Sequence, residues 1–206
     1  MGNTTIQIEQ IADQGSDGQV LKSTGSGVAW GDVAGGGSWN VISSQTIGGS
    51  AVSTVEFTSG ITGYTSYALI VNNLLTDTNN DYLEVKFAYN GNSGYESSNY
   101  TYSMLYTNPY GTVSQQISNA SSAMSMSANM STTGPTFGKL WFGTGSSMVR
   151  GEFASKRGSD NTAYITTMGG FNNSSLVATS INKVLVRSAN GNLSSGTFTL
   201  YGLANS

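Results

Sequence analysis

Along most of the chain, apolar and polar residues alternate one by one, the period of a strand with one face turned to a core. The clearest case is YLEVKFAY, residues 82–89, in which Leu83, Val85, Phe87 and Tyr89 share one face while Glu84 and Lys86 take the other. TFTLYG, residues 197–202, repeats the pattern with Phe198 and Leu200. On this basis strands are expected over residues 39–47, 52–57, 66–74, 82–90, 100–107, 137–144, 148–155, 162–168, 181–189 and 196–202, with turn clusters between them spaced as in a sandwich. Asn90-Gly91 and Asn190-Gly191 read as tight-turn dipeptides, because both residue types tolerate positive φ. The segment 114–131, SQQISNASSAMSMSANMS, fits neither period. Met124, Met126 and Met130 leave a long loop, an irregular edge and a short helix all open. About ten short antiparallel strands and no long helix point to an all-β chain, an antiparallel jelly-roll-like β-sandwich over residues 39–206.

Residues 1–38 follow a different pattern. TTIQIEQI alternates Ile6 and Ile8 with polar neighbours until Ile11 breaks the period. GQVLKST and GVAW are two short extended pieces on either side of Gly25-Ser26-Gly27, and Gly35-Gly36-Gly37 then separates the stretch from the body. Residues 1–34 carry four acids (Glu9, Asp13, Asp17, Asp32) against Lys22 alone, whereas the remainder balances seven acids with seven bases. So few apolar residues cannot make a core. Ile6, Ile8, Val20, Leu21, Val28 and Trp30 are therefore expected to pack against partners, making this an extended attachment and trimerisation segment with a glycine linker.

Composition changes the picture at the surface. Charged residues are 9% of the chain, against about 25% in an average soluble protein, so the exposed side chains must be polar but mostly uncharged. Aromatics at 10%, recurring among Val, Ile and Thr, separate it from a disordered chain. A net charge of −3 and a sequence pI near 4.7, with only Lys156-Arg157 as adjacent bases, argue against nucleic-acid binding, which needs a basic patch to neutralise phosphates. There is no cysteine, so no disulfide framework or thiolate site, and no histidine, so no Ser-His or Cys-His relay and no imidazole ligand. The amino terminus lacks the basic and apolar regions of a secretory signal, and no apolar run approaches the length of a bilayer span, so membrane insertion is not expected.

Three patterns carry candidate chemistry. Asp77-Thr78-Asn79-Asn80-Asp81 has the spacing that opens an EF-hand loop, but Tyr82 stands where that loop needs glycine and Ala88 where it needs glutamate. A polar turn between strands is the plainer reading, and no metal or cofactor is expected. Glu56, Glu84, Glu96, Glu152 and Asp160 could in principle pair for glycoside cleavage, yet no spacing selects a pair. Tyr95, Tyr100, Tyr102, Tyr106 and Tyr110 cluster among Ser, Asn and Gly, the chemistry of adaptable binding loops. Alternate members such as Tyr100 and Tyr102 would equally fill a sandwich or a trimer interface. Tyr95, Tyr106 and Tyr110, on or beside the loops 91–98 and 108–112, are the candidate receptor contacts.

Two stretches also carry a resemblance. GYTSYALIVNNLLTDTNNDYLEVKFAYNGNSGYESSNYTY and, near the end, INKVLVRSANGNLSSGTFTLYGL resemble a sandwich domain of tailed-phage virion proteins, tail fibres above all, through Tyr64, Tyr67, Leu83, Gly91, Tyr100, Tyr102, Gly191, Gly196, Thr197, Leu200, Tyr201 and Gly202. GSDGQVLKSTGSGVAWGD is similar to the Gly-Gln-Val-Leu unit that such fibres place before or between these domains, while residues 114–134 match nothing in the pattern. The resemblance implies a structural protein of the bacteriophage virion, trimeric and displayed outside the particle, without fixing which appendage; a non-enzymatic component of the tail rather than the capsid is the expectation. Its N-terminal segment would attach it to other virion proteins, and its sandwich would contact a bacterial surface glycan or protein. A capsid decoration protein or head fibre, a tail adaptor, and a lectin or adhesin module are the alternatives.

Overall fold

The computed structural model describes residues 19–23, 28–32, 39–89, 94–143, 148–159, 162–172 and 181–203. The chain divides into two compact units, with the boundary between Gly37 and Ser38. In the first, β1 (Gln19–Ser23) and β2 (Val28–Asp32) pair antiparallel as a hairpin, with Leu21 opposite Trp30.

The second unit contains no helix among its described residues. Its strands are β3 (Trp39–Ile47), β4 (Thr54–Phe57), β5 (Ser66–Thr76), β6 (Asp81–Tyr89), β7 (Tyr100–Thr107), β8 (Val113–Ser121), β9 (Met124–Met130), β10 (Thr136–Gly143), β11 (Met148–Lys156), β12 (Ala163–Asn172), β13 (Ile181–Ser188) and β14 (Leu193–Leu203). They form two antiparallel sheets, β3-β14-β5-β10-β11-β12-β7-β8 and β4-β13-β6-β9. Setting aside the pairs β7–β8 and β11–β12, the eight remaining strands, numbered in chain order, lie in the two sheets as first-eighth-third-sixth and second-seventh-fourth-fifth. That is the jelly roll expected from the pattern. The two extra pairs extend the first sheet beyond β10.

The core lies between the sheets. Tyr67, Leu69, Leu140, Phe142, Phe198 and Leu200 face Val55, Phe57, Leu83, Val85, Phe87, Val184 and Val186, all buried. Phe142 bridges the layers, stacked on Tyr67 at 5.3 Å and tilted against Phe87 at 5.2 Å. Tyr100 closes one end of this core. Its hydroxyl accepts from the Phe87 amide at 2.8 Å and donates back to the Phe87 carbonyl at 3.3 Å, so the buried phenol is satisfied by backbone.

The ambiguous segment 114–131 is a pair of strands, β8 and β9, and neither a helix nor a loop. Ordinary alternation is lost in β9 because it is buried on both faces: it packs against β11, β12 and β7, and Met124, Met126, Ala128 and Met130 as well as Ser125 and Ser127 are inaccessible. Bulges disturb the period further. Ala120 (φ 58) and Asn129 (φ 56) are left-handed where the β7–β8 and β6–β9 registers shift, and Asn73 (φ 52) does the same in β5. The turn expected at Asn190-Gly191 is present, but neither residue has positive φ. Gly191 is required there for space, since a Cβ would collide with the side chains of Asp77 and Thr78. Asn90-Gly91 lies outside the described residues.

The opposite face of the eight-stranded sheet follows from the register. Ile117, Ser103, Gly169, Arg150, Trp141, Ala68, Tyr201 and Val41 succeed one another across its eight strands. Of the ten exposed large hydrophobic residues in the described part of the chain, nine lie in this sheet, and Tyr110 is the exception.

Candidate functional site

β7 presents Tyr100, Tyr102 and Tyr106 at alternate positions, so all three start on the same side. Tyr100 and Tyr102 are buried and fill the sandwich. Tyr106, nearer the turn, is half-buried, with its ring 6.1 Å from that of Tyr164 on β12. The Tyr164 hydroxyl accepts from the Arg157 guanidinium at 3.5 Å, and Arg157 also donates to Asn80 at 3.4 Å. Gln116 on β8 donates to the Tyr102 hydroxyl at 3.3 Å, and that hydroxyl also lies 3.1 Å from Ser125 Oγ. Tyr82 on β6 belongs to the same neighbourhood: burial, then the Tyr106 and Tyr102 hydroxyls, push its phenol above the ordinary tyrosine value. Tyr82, Tyr106, Gln116 and Arg157, all half-buried, thus make a patch of ring faces, hydroxyls and amides backed by the buried Tyr164. A neutral Tyr82 phenol can donate and accept hydrogen bonds but is no base or nucleophile. Such a patch suits stacking and hydrogen bonding to an uncharged polar ligand.

The other two receptor candidates stand apart from that patch. Tyr95 donates to Glu56 Oε2 at 2.9 Å beside β4, and burial together with that carboxylate holds its phenol well above the usual range. Tyr110 is 81% exposed in the β7–β8 turn, where the Asn108 carboxamide oxygen accepts from the amides of Tyr110 and Thr112. The structure brings Tyr106 and Tyr110 onto one hairpin and leaves Tyr95 elsewhere.

The aspartate-rich turn is occupied by its own protein. Asp77 accepts from the Asn192 amide and side chain, both at 2.7 Å, which holds its carboxyl below the ordinary value. Asp81, fully buried, accepts from the Tyr82 amide at 2.7 Å, the Asn190 amide at 3.0 Å, the Asn190 side chain at 3.2 Å and the Ser188 hydroxyl. Asn79 accepts from Thr132. The motif clasps three loops together, and its oxygens are saturated by protein donors. Among the described residues no group of three or more His, Cys, Asp or Glu is placed to hold a metal ion.

No known protein family, curated protein or solved structure matches this chain. Its chemistry is therefore read from its own residues. Of the carboxylates weighed for glycoside cleavage, Glu84 is paired with Arg187 at 2.7 Å and Glu152 with both Lys139 at 3.1 Å and Arg150 at 2.9 Å. Glu56 accepts from Tyr95.

In the assembly segment, Val20, Leu21 and Val28 lie on the paired strands of the β1–β2 hairpin, opposite Gly31, Trp30 and Ser23 respectively. Their side chains lie outside the described residues, as do Ile6 and Ile8, while Trp30 is half-buried. Sequence reading passed over Tyr82, Tyr164 and Arg157. Tyr82 opens an alternating strand and falls on its polar side with Glu84 and Lys86, and Tyr164 is remote in sequence from the tyrosine-rich stretch. Only the pairing of β12 with β7 brings Tyr164 to Tyr106.

Proposed function

We propose that this chain is a non-enzymatic structural protein of a tailed-phage particle, a homotrimeric, outwardly displayed tail component whose sandwich contacts the host surface. The observation that carries the reading is the coincidence of motif and architecture. The Gly-Gln-Val-Leu stretch runs into the first strand of a separate hairpin unit, and the closing TFTLYG is the central part of β14, paired on both sides within a jelly roll. A small attachment unit followed by a charge-poor sandwich is what a displayed appendage requires. The patch around Tyr106 is the receptor contact in this reading, with a surface glycan as its ligand: stacking and neutral hydrogen bonds supply the affinity, so binding persists in salt.

Immunogold labelling of particles tests the location. Label on the tail is the expected result, and label on the capsid would make the chain a decoration protein or head fibre instead. Deleting residues 1–34 should leave a folded sandwich that no longer enters particles; normal incorporation would remove the attachment role. Tyr106→Ala should lower binding to host envelopes by about tenfold, the loss of one stacking anchor, while the chain keeps a cooperative melting transition.

A further inference from the structure

The outward face of the eight-stranded sheet has no role within the sandwich, yet it gathers nearly all the exposed large apolar side chains described. A free soluble chain rarely shows a contiguous apolar patch beyond a few hundred Å². Eight strands of at least eight residues, about 4.8 Å apart and rising about 3.3 Å per residue, give this face a footprint of roughly 1,100 Å². A standard stable interface buries roughly 800 Å² per partner, so the face is of the size an interface needs.

Its two ends differ. Near β3 stands an aromatic ridge, in which Trp39 meets Trp141 edge-on at 4.8 Å and Tyr201 at 6.2 Å, flanked by exposed Val41. Over β7, β8, β11 and β12 lies a groove of ≈ 670 Å³, with Leu105, Ile117 and Phe171 among its lining. Gly169 lines it too, and a Cβ there would meet nothing closer than the Val149 carbonyl oxygen at 3.9 Å. Between ridge and groove, Lys139 and Arg150 both pair with Glu152, which leaves the trio one net positive charge. The face thus offers a charged polymer a single net charge to select, and the hydroxyls beside the ridge pair with one another, Ser44 with Thr199 and Thr46 with Thr197. An apolar knob and an apolar groove on one face match a second copy of the same molecule, and such a head-to-tail contact makes a ring when the rotation between copies closes.

We propose that copies of this chain associate through this face, with the aromatic ridge of one copy seated in the groove of the next. Only the number of copies, three, rests on the function proposed above; the face serves assembly whatever particle location labelling reveals.

The test measures the mass of the full chain in solution by sedimentation. Val41→Lys breaks the ridge and Ile117→Lys the groove, both at side chains 61% exposed in the single chain, and Tyr110→Lys is the control outside the face. Wild type and Tyr110→Lys should run as three chains, and each face variant as one. An equimolar mixture of the two face variants should yield a two-chain species, because one intact ridge-in-groove contact survives but the ring cannot close. A single-chain wild type, face variants that assemble normally, or a mixture that stays single would each overturn the proposal. Should a lysine variant lose its cooperative melt, Ile117→Cys in this cysteine-free chain answers instead. Its thiol should react with a maleimide about tenfold more slowly than that of Tyr110→Cys, as protection by burial dictates; equal rates would overturn the proposal.

Discussion

Ile165 and Thr166 are neighbours on β12, yet they are placed against the usual preference: the isoleucine points outward, 64% exposed, while the threonine faces the core with its hydroxyl buried and without a partner. The same inversion, less sharply, separates the two faces of the whole eight-stranded sheet. Its inner face meets the four-stranded sheet and is a conventional packed core, although Thr136 also leaves a hydroxyl unpartnered there. Its outer face carries the apolar ridge and groove. Fold stability and association are thereby assigned to opposite sides of the same strands, and substitutions one residue apart should separate the two properties.

The largest effect is expected inside. Leu140→Ala removes a side chain with no exposure from the centre of β10, a change that costs about 2–5 kcal/mol of a typical total of about 5–15 kcal/mol; chemical denaturation would read it as a large fall in midpoint. Next is the loop clasp: Asp81→Ala strands the donors of Ser188, Asn190 and Tyr82 and should cost about 2–4 kcal/mol in the same measurement. Smaller, and of opposite sign, Thr166→Val replaces the unpartnered hydroxyl with a methyl of similar shape and should raise stability by about 1 kcal/mol. Its outward neighbour sharpens the contrast, because Ile165→Thr should stay within about 0.5 kcal/mol for the single chain while weakening association.

Acid should give the mildest change. Hydrogen bonds from Asn192 depress the carboxyl of Asp77 below 3.8, and Lys139, then Arg150, depress that of Glu152 below 4.5. Groups depressed on folding stabilise the protein above their ordinary values and lose that contribution as pH falls through the folded ones. Melting temperature should therefore be level through neutral pH and decline only below the ordinary carboxylate range. A rise in melting temperature on acidification would mean that these contacts are not made.

The jelly roll was legible wherever one face of a strand is wet. YLEVKFAY and TFTLYG alternate because β6 and β14 each turn one face to the core, and they are observed as strands. β9 was illegible for the converse reason: with both faces buried and Asn129 bulged, methionine alternates with small serines and alanine instead of with charges. The tyrosine patch was half legible. Tyr106 stands out in its run, but Tyr82 and Tyr164 reach it only through pairings and layer contacts between distant segments. The outer face was hidden most completely, since each of its strands contributes one or two apolar residues that look incidental until eight strands are set in register.

The most direct test of the division between inner and outer faces is an electron-microscopy structure of the assembled full chain. It should show Trp39, Trp141 and Tyr201 of one copy against Leu105, Ile117 and Phe171 of the next, with the outer sheet faces closed to solvent. An assembly that leaves those side chains in water, held together through another surface, would contradict it.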